Sequence, residues 1–305
     1  MVRILVSDKI HEDGLEILRE FAEVDVLTGL TPEQLIAKIG DYDAIVVRSA
    51  TKVTADVIAA GRRLKAIGRA GVGLDNIDAK AAESRGIAVM NSPEASTVAV
   101  AELTIGLMLS YARKIPRADS GTKLGKWEKK ELMGTELRGK VLGIIGTGKI
   151  GKSVGRIAAA FRMKLLLYDA VRDEEFAREV GGKYVDLETL LKDSDYVTIH
   201  VPLTPETRHM IGRGELSLMK PTAVLVNTSR GAIVDEKELV AALSEKRIGG
   251  ACLDVFEKEP LTESPLFSMQ NTVLTPHIAA STVEAQKEAA IVVAQKMKKF
   301  FEGKT

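Results

Sequence analysis

The most constraining feature of this chain is a glycine-rich turn that directly follows a short apolar run. Val141–Ile145 is apolar apart from one glycine, and it leads into Gly146-Thr-Gly148-Lys-Ile-Gly151. A helix-like stretch, 152–161, comes next. The first glycine permits a tight turn, the second admits a pyrophosphate close to the backbone, and the third lets the helix pack on the strand. The order therefore predicts a dinucleotide fold, with the pyrophosphate at the helix N-terminus.

The same residues also fit a second nucleotide-binding motif. Gly146, four residues, and then Gly151, Lys152 and Ser153 match the P-loop pattern, in which the lysine binds nucleotide phosphates. An acidic residue favours the dinucleotide interpretation: Asp169 follows a second strand-like run, 23 residues after the first glycine. A carboxylate at about this distance binds the adenine ribose in dinucleotide folds. On spacing alone, the P-loop stays open as the alternative.

Strand-like and helix-like segments alternate along two stretches of the chain. In the first stretch, strand-like runs begin near Arg3, Val24, Ala44, Leu64 and Ile87. In the second, they lie at 141–145, 163–168, 195–199, 223–226, 250–253 and 273–274. Such alternation is typical of parallel sheets with helices on both faces. The sequence predicts an α/β protein with two doubly wound parallel-sheet domains, the second a Rossmann-type dinucleotide-binding domain.

The predicted domain boundaries follow from these two stretches. Residues 1–95 form the first domain, which a C-terminal helix at 282–305 completes. Residues 96–281 form the second domain, which opens with a long apolar helix over about 96–114 and a polar loop over 116–140. The last helix reaches the end of the chain, so no additional regulatory domain is expected after it.

Composition argues against several other classes of protein. The chain has 43 basic and 42 acidic residues among 305, so electrostatics gives no reason to expect nucleic acid or membrane binding. The longest apolar stretch, 97–111, contains Glu102 and is too short to span a bilayer. Cys252 is the single cysteine, and no Cys or His cluster has metal-ligand spacing. We expect a cytoplasmic protein without a signal peptide, and the scarcity of Asn and Gln, four of each, favours a thermophilic source.

Three short segments after the glycine motif carry a more specific signal. They are Asn227-Thr-Ser-Arg-Gly231, Asp254-Val-Phe-Glu-Lys-Glu-Pro260 and Thr275-Pro-His-Ile-Ala-Ala-Ser281. Together with the glycine motif they resemble the NAD-dependent D-2-hydroxyacid dehydrogenases, and the resemblance covers nearly the whole chain. It makes the P-loop the most remote alternative, because a triphosphatase has no use for this arginine, glutamate and histidine series; ATP binding in place of NADH binding would distinguish it. It implies hydride transfer between a 2-hydroxy acid and NAD, with the catalytic residues Arg230, Glu259 and His277.

These residue types suit that chemistry. A guanidinium such as that of Arg230 binds a carboxylate with two charged hydrogen bonds, and Gly231 lets the backbone turn close to a ligand. In the family, the position of His277 is the general acid/base, and imidazole suits it because its pKa is near neutral. Glu259 would bind the other ring nitrogen and raise the pKa of the histidine. Glu257 is a neighbouring acid, and only the spacing before the histidine selects Glu259 over it.

The resemblance also implies which residues contact the cofactor. They lie in the glycine turn, at the carboxylate that would bind the ribose, and in the loops after later strands: Gly146, Gly148, Lys149, Ile150, Gly151, Asp169, Thr228, Asp254 and Ala280. The carboxylate of Asp169 would repel a 2′-phosphate, so NAD is expected as the cofactor. Arg172 is near in the sequence and leaves NADP as the alternative.

Three other segments narrow the resemblance to members whose substrate carries a phosphate. They are Val47-Arg-Ser-Ala-Thr51, Gly68-Arg-Ala-Gly-Val-Gly-Leu-Asp-Asn76 and the stretch 126–136. The implied substrate-binding residues are Arg48, Ser49, Arg69, Val72, Gly73, Arg230 and His277, and the partner is a small phosphorylated 2-hydroxy acid. A homodimer is implied as well, with 96–140 as its dimerisation helix and loop. Lys129 or Lys130 of the partner subunit is a further candidate for the phosphate.

Two alternatives remain open on the sequence. A hydroxypyruvate or glyoxylate reductase of the same family would need no phosphate site. A non-catalytic NAD-sensing module on the same fold could dispense with the catalytic arginine, glutamate and histidine, all of which are present here.

Overall fold

The computed structural model describes residues 1–303 and divides the chain into two compact units. Unit 1 comprises Met1–Thr97 and the segment that begins at Ala280, and unit 2 comprises Val98–Ala279. Each unit contains one sheet, and the paired strands within it are parallel. The prediction of an α/β fold with two parallel sheets is confirmed.

Unit 1 has five strands: β1 (Val2–Val6), β2 (Ala22–Val26), β3 (Ala44–Val47), β4 (Ala66–Arg69) and β5 (Ala88–Asn91). They pair in the order β2-β1-β3-β4-β5. Its helices are α1 (Glu12–Arg19), α2 (Pro32–Ile39), α3 (Ala55–Ala60), α4 (Ala79–Ser84) and α12 (Val283–Phe301). The predicted C-terminal helix extended to Thr305, and its last two residues lie outside the described part of the chain.

Alternate residues of the unit 1 strands face opposite sides of the sheet, as the two-residue period of a strand requires. Ile4 and Val6 pack with α1 and α12 on one face, and Leu5 packs with α2, α3 and α4 on the other. Helices α1 and α12 approach closely because Gly14 lies against Ala290, where a Cβ would come within 2.7 Å. Both faces of this sheet are therefore covered.

Unit 2 has seven strands: β6 (Val141–Ile145), β7 (Lys164–Tyr168), β8 (Lys183–Tyr184), β9 (Tyr196–Ile199), β10 (Val224–Asn227), β11 (Gly250–Leu253) and β12 (Thr272–Leu274). They pair in the order β12-β11-β10-β9-β6-β7-β8, so the chain adds strands first on one side of β6 and then on the other. Apolar clusters cover both faces of the sheet. The carboxyl ends of β6, β7, β10 and β11 lie at one edge, because all the strands point the same way.

The helices of unit 2 are α5 (Thr97–Ala112), α6 (Ile115–Lys123), α7 (Lys149–Ala160), α8 (Glu174–Val180), α9 (Leu187–Asp193), α10 (Arg213–Leu218) and α11 (Glu236–Ser244). Two predictions were wrong here. The polar stretch from 116 onward was predicted as a loop but begins as α6, because Pro116 lies in the first turn, where its missing N–H costs nothing. Lys114, with φ +54°, separates α6 from α5. The two-residue strand β8 was not predicted. Among the described residues, no helix is long and apolar enough to cross a membrane.

Candidate active site

The glycine turn of unit 2 connects β6 to α7, and its glycines have separate structural roles. Gly146 has φ +92°, a left-handed conformation that glycine adopts without strain, and a Cβ there would come within 2.8 Å of the carbonyl carbon of His200. A Cβ on Gly151 would overlap the carbonyl oxygen of Gly146, so the helix packs directly on the turn. Gly148 is the N-cap of α7 and provides no capping side chain. The first turn of this helix is therefore open to an anionic ligand.

The P-loop lysine candidate, Lys152, lies on the same helix and is already paired. Its ammonium is 2.5 Å from Asp173 Oδ2 and 5.9 Å from the centre of the Phe176 ring. The hydrogen bond from Lys152 lowers the pKa of the Asp173 carboxyl. Lys152 thus stabilises the packing of α7 on α8 and has a structural partner in place of nucleotide phosphate. Lys149 and Ile150 form the first turn of α7, next to the glycines.

Asp169 directly follows β7, and the pairing of β6 with β7 brings it beside the glycine turn. The N–H of Thr147 donates to Asp169 Oδ2 at 2.6 Å, and the N–H of Val171 donates to Oδ1 at 3.1 Å. Arg172, the residue that kept NADP open, is exposed in the loop that follows. The structure thus places a carboxylate next to an uncapped helix N-terminus, and the two together fit the ribose and the pyrophosphate of a dinucleotide.

The imidazole of His277 is hydrogen-bonded to a carboxylate. His277 Nδ1 is 2.7 Å from Glu259 Oε2, and the N–H of Phe256 donates to the other oxygen of Glu259 at 3.0 Å. Glu257 points elsewhere: its Oε1 lies 2.8 Å from His209 Nε2. The geometry therefore pairs Glu259, and not Glu257, with the candidate acid/base.

Asp254 organises the loop that carries His277. Its carboxylate is completely buried and accepts hydrogen bonds from Thr275 Oγ1 at 2.6 Å and from the N–H groups of Ile278 and Ala279, both at 2.9 Å. Its carbonyl oxygen accepts the N–H of His277 at 2.8 Å. His277 itself has φ +53°, unusual for a side chain of its size, and these bonds stabilise that conformation. A direct contact between Asp254 and the cofactor stays a prediction, as does one from Ala280, which is exposed one residue beyond Ala279.

Arg230 follows β10, and its loop is built by its neighbours. Asn227 Nδ2 donates to the carbonyl of Arg230 at 2.9 Å, and the Ser229 hydroxyl donates to the carbonyl of Val201. A Cβ on Gly231 would overlap the backbone of Phe256, so this loop packs directly on the segment that precedes Glu259. The Arg230 charge is close enough to His277 to oppose the protonation of its ring. The structure thus brings the three predicted catalytic residues into one site within unit 2.

Thr228 lies two residues before Arg230 and is buried against helix α5. Its hydroxyl is 2.9 Å from Thr104 Oγ1 of α5, and Thr104 Oγ1 donates to the carbonyl of Val100 at 2.7 Å. Because Thr104 uses its only proton in that bond, Thr228 is the donor between the two hydroxyls. Its oxygen then keeps a lone pair for a ligand that donates.

The predicted phosphate-binding arginines lie together in unit 1. Arg48 follows β3, Arg69 ends β4, and the amide of Asn76 connects their loops. Asn76 Nδ2 donates to the carbonyls of Arg48 at 2.8 Å and Thr51 at 2.7 Å, and Asn76 Oδ1 accepts from Arg69 Nε at 3.3 Å. Asp8, after β1, accepts the N–H groups of Arg48 and Thr51 at 2.6 and 3.1 Å. These bonds order the loop 48–51 next to Arg69.

The other predicted substrate residues of unit 1 surround this loop. Ser49 is exposed, and Val72 and Gly73 are half-buried. Asn91 Nδ2 donates to the carbonyl of Val72 at 2.6 Å. Gly71 has φ +156° and lies against the guanidinium of Arg69, where a Cβ would come within 2.5 Å of Nη1. The Gly71 backbone and the Arg69 guanidinium therefore lie side by side.

Comparison with known proteins agrees with this geometry. Residues 105–279 match the family model described as D-isomer specific 2-hydroxyacid dehydrogenase, NAD binding domain. The chain belongs to the D-isomer specific 2-hydroxyacid dehydrogenase family. NAD is its cofactor, and the uncapped N-terminus of α7 and the carboxylate of Asp169 fit that molecule.

The relatives that are similar to this chain carry the names of several different enzymes. The chain is 52% identical to a D-3-phosphoglycerate dehydrogenase of Methanocaldococcus jannaschii, over 99% of this chain and 58% of that protein. It is 47% identical to a hydroxypyruvate reductase of Thermotoga maritima, over 97% of both chains. A solved structure, D-lactate dehydrogenase from Aquifex aeolicus complexed with NAD and lactic acid, superposes with a TM-score of 0.88 at 31% identity, over 99% of this chain and 96% of that one. The chain spans about half the length of the phosphoglycerate dehydrogenases that it matches.

The electrostatics of the dehydrogenase site favour a charged imidazole. The hydrogen bond to Glu259 raises the pKa of His277 above its ordinary value, against the opposing effects of burial and of Arg230. Burial raises the pKa of the Glu259 carboxyl, but the hydrogen bonds from His277 and Phe256 outweigh it, and the pKa lies below its usual range. The pair can therefore accept a proton on the imidazole while the carboxylate stays ionised.

Several residues that shape the site had no signal in the sequence. Thr104, Thr147, Asn76 and Asp8 act through hydrogen bonds to residues far away in the chain, and nothing in their local pattern indicates those partners. Within residues 1–303, no group of three or more His, Cys, Asp or Glu side chains is arranged to hold a metal ion. Lys129 and Lys130 are exposed in the loop after α6.

Proposed function

We propose that this chain is a D-3-phosphoglycerate dehydrogenase, which oxidises 3-phosphoglycerate to 3-phosphohydroxypyruvate and so opens serine biosynthesis. The observation that carries the chemistry is the 2.7 Å contact between His277 Nδ1 and Glu259 Oε2, with Arg230 in the same site. The substrate assignment is supported by the pair of arginines in unit 1 and by the similarity to phosphoglycerate dehydrogenases over nearly the whole chain.

The catalytic residues have separate tasks in this reaction. Because Nδ1 of His277 donates its proton to Glu259, Nε2 has the free lone pair and takes the proton of the substrate hydroxyl. Glu259 holds the ring in that tautomer and stabilises the imidazolium that forms. Arg230 binds the substrate carboxylate with two charged hydrogen bonds. Bound NAD supplies the acceptor for the hydride that leaves C2, which balances the oxidation.

The phosphate of the substrate requires cations that Arg230 does not supply. Arg48 and Arg69 are the candidates, since Asn76 orders both of their segments and Arg69 lies against the Gly71 backbone. A guanidinium forms two charge-assisted hydrogen bonds to a phosphate. Lys129 or Lys130 of the partner subunit is a further source of charge.

A lysine supplied by a partner subunit requires that the protein form a homodimer, which we also propose. The segment 96–140 exposes large apolar side chains, among them Val98, Leu124, Trp127 and Met133. Exposed apolar side chains of this size are typical of interfaces. We place the enzyme in the cytoplasm, where NAD and the precursors of serine occur, and in a thermophilic organism, for which the scarcity of Asn and Gln is the support.

Steady-state kinetics on a substrate panel tests the assignment. We expect kcat/KM for 3-phosphohydroxypyruvate with NADH to exceed that for hydroxypyruvate and glyoxylate by about ten-fold or more, since one lost charged hydrogen bond contributes roughly 1.5–3 kcal/mol. Equal values for the phosphorylated and unphosphorylated acids would contradict it.

A hydroxypyruvate or glyoxylate reductase is the second candidate. It is favoured by the Thermotoga maritima relative, which matches this chain over 97% of its own length. The panel decides between the two, because the reductase would show no preference for the phosphate. A non-catalytic NAD-sensing module would bind NADH and turn over none of these acids.

A further inference from the structure

Asp169 receives a chain of hydrogen bonds that begins at helix α8. The backbone N–H of Asp173, the N-cap of α8, donates to Tyr184 Oη at 3.1 Å. Tyr184 Oη is 2.8 Å from Thr147 Oγ1, and Thr147 Oγ1 is 3.2 Å from Asp169 Oδ2. All four residues belong to unit 2. Of these four residues, only Asp169 is one that the sequence predicts to be part of the site.

The direction of each of these hydrogen bonds is determined by the two end groups, the donor N–H of Asp173 and the acceptor carboxylate of Asp169. A backbone N–H can only donate, so the oxygen of Tyr184 accepts from Asp173 and keeps its own proton for another partner. An ionised carboxylate can only accept, so the hydroxyl of Thr147 donates to Asp169. The Tyr184 hydroxyl therefore donates to Thr147. Thr147 is 4% exposed, which leaves little room for water to compete.

The same bonds determine which lone pairs of Asp169 stay available. Oδ2 accepts both the N–H and the hydroxyl of Thr147, so its two lone pairs are occupied. Oδ1 accepts the N–H of Val171 at 3.1 Å and keeps one lone pair. That lone pair can accept a proton from a ribose hydroxyl. A 2′-phosphate is largely ionised at neutral pH, so it accepts hydrogen bonds where the hydroxyl donates one, and its charge repels the carboxylate.

We propose that Tyr184 is a positioning residue for cofactor selectivity: acting through Thr147, it orients the Asp169 carboxylate so that it accepts from a ribose hydroxyl and disfavours a 2′-phosphate. This rests on the proposed ribose contact of Asp169. Without the tyrosine hydroxyl, Thr147 can turn its own hydroxyl away from the carboxylate. Asp169 can then rotate, while Arg172 stays exposed in the same loop to attract a phosphate.

Fluorescence titration of the substrate-free protein with NADH and with NADPH tests the proposal. Tyr184→Phe removes one hydroxyl and keeps the ring. We expect the Kd for NADH to rise about three- to ten-fold, the range of one hydrogen bond, and the Kd for NADPH to stay or fall. Thr147→Val should do the same, and Thr147→Ser should restore the wild-type ratio of the two Kd values. Tyr168→Phe is the matched control, because Tyr168 precedes Asp169 and its hydroxyl lies outside the chain of bonds.

Asp169→Ala separates this proposal from the one on which it rests. If Asp169→Ala changes the Kd ratio while Tyr184→Phe and Thr147→Val do not, the positioning role is wrong and the ribose contact stands. If Asp169→Ala leaves the ratio unchanged, both are wrong. An equal loss of NADH and NADPH affinity in Tyr184→Phe would show a merely structural tyrosine and would also overturn the proposal.

Discussion

The two units share a parallel, doubly wound architecture but differ in the first turn from strand to helix. In unit 1, the side chain of His11 caps α1 by accepting the N–H of Asp13, and Glu12 and Asp13 place two acids in the first helical turn. In unit 2, Gly148 caps α7 with no side chain, and the first turn holds no acid. A helix N-terminus attracts anions only when no carboxylate already occupies it. The turn, and not the sheet, therefore distinguishes the unit that binds the dinucleotide.

An acid that follows a strand also differs between the two units. Asp8, after β1, is 7% exposed and bonds to the loop 48–51 of its own unit. Asp169, after β7, is half-buried and keeps a lone pair for a ligand. In unit 1, Asp8 is structural and orders the loop that carries Arg48. In unit 2, Asp169 is a candidate for binding the cofactor.

The largest effect is expected from His277, the proposed acid/base in unit 2. His277→Asn should lower kcat by on the order of 10²–10⁴, the usual contribution of a positioned acid/base, and should leave NADH affinity near the wild-type value. Steady-state kinetics together with NADH titration measure both. His209→Asn is the control, because His209 contacts Glu257 and lies outside the pair. A near-normal kcat in His277→Asn would contradict the assignment.

The next largest effect is expected from a change in the turn before α7, with the turn before α1 as its counterpart. Gly148→Asp should weaken NADH binding about ten-fold or more, because a carboxylate would cap α7 and repel the pyrophosphate. A Cβ at Gly148 meets no protein atom within 4 Å, so the substitution should leave the turn itself undisturbed. The matched change in unit 1, His11→Asp, should leave the NADH Kd unaltered. Equal Kd values in Gly148→Asp and wild type would show that the uncapped turn is not the anion site.

A third effect belongs to unit 1. Arg69→Ala should lower kcat/KM for 3-phosphohydroxypyruvate by about ten-fold and should hardly change that for hydroxypyruvate, which has no phosphate to bind. Arg63→Ala is the control, since Arg63 is an arginine of the same unit that pairs with Asp43. Similar losses on both substrates would mean that Arg69 only stabilises its loop.

The smallest expected effect is a shift in the pH dependence of the oxidative and reductive rates. Glu259 raises the pKa of His277, and oxidation requires the neutral ring, so the oxidative rate should rise with pH through a pKa above that of an ordinary histidine. Reduction requires the charged ring and should fall with pH through the same pKa. Glu259→Gln should move both limbs to lower pH. Glu257→Gln should leave them in place, because Glu257 bonds to His209 and to the backbone of Glu236.

Much of the fold was predictable because its signals are local. The apolar runs separated by helical stretches predicted both parallel sheets, and the glycine spacing predicted the turn at Gly146. The errors were local too: Pro116 begins α6 in a stretch too polar to suggest a helix, and β8 is only two residues long. The partners of the site residues were less predictable. Nothing near Asp254 in the sequence indicates that its carboxylate bonds to Ile278 and Ala279.

The sequence alone predicts the class of fold, the position of the dinucleotide turn and the candidate catalytic residues Arg230, Glu259 and His277. Each of these is encoded in a short run of neighbouring residues. Only the folded structure shows the contact that Glu259, and not Glu257, makes with His277, the way Asn76 connects two arginine loops, and the path from Tyr184 to Asp169 through Thr147. The physical reason is that hydrogen bonds act only within about 3 Å. Folding brings those donors and acceptors together from positions that are far apart in the chain.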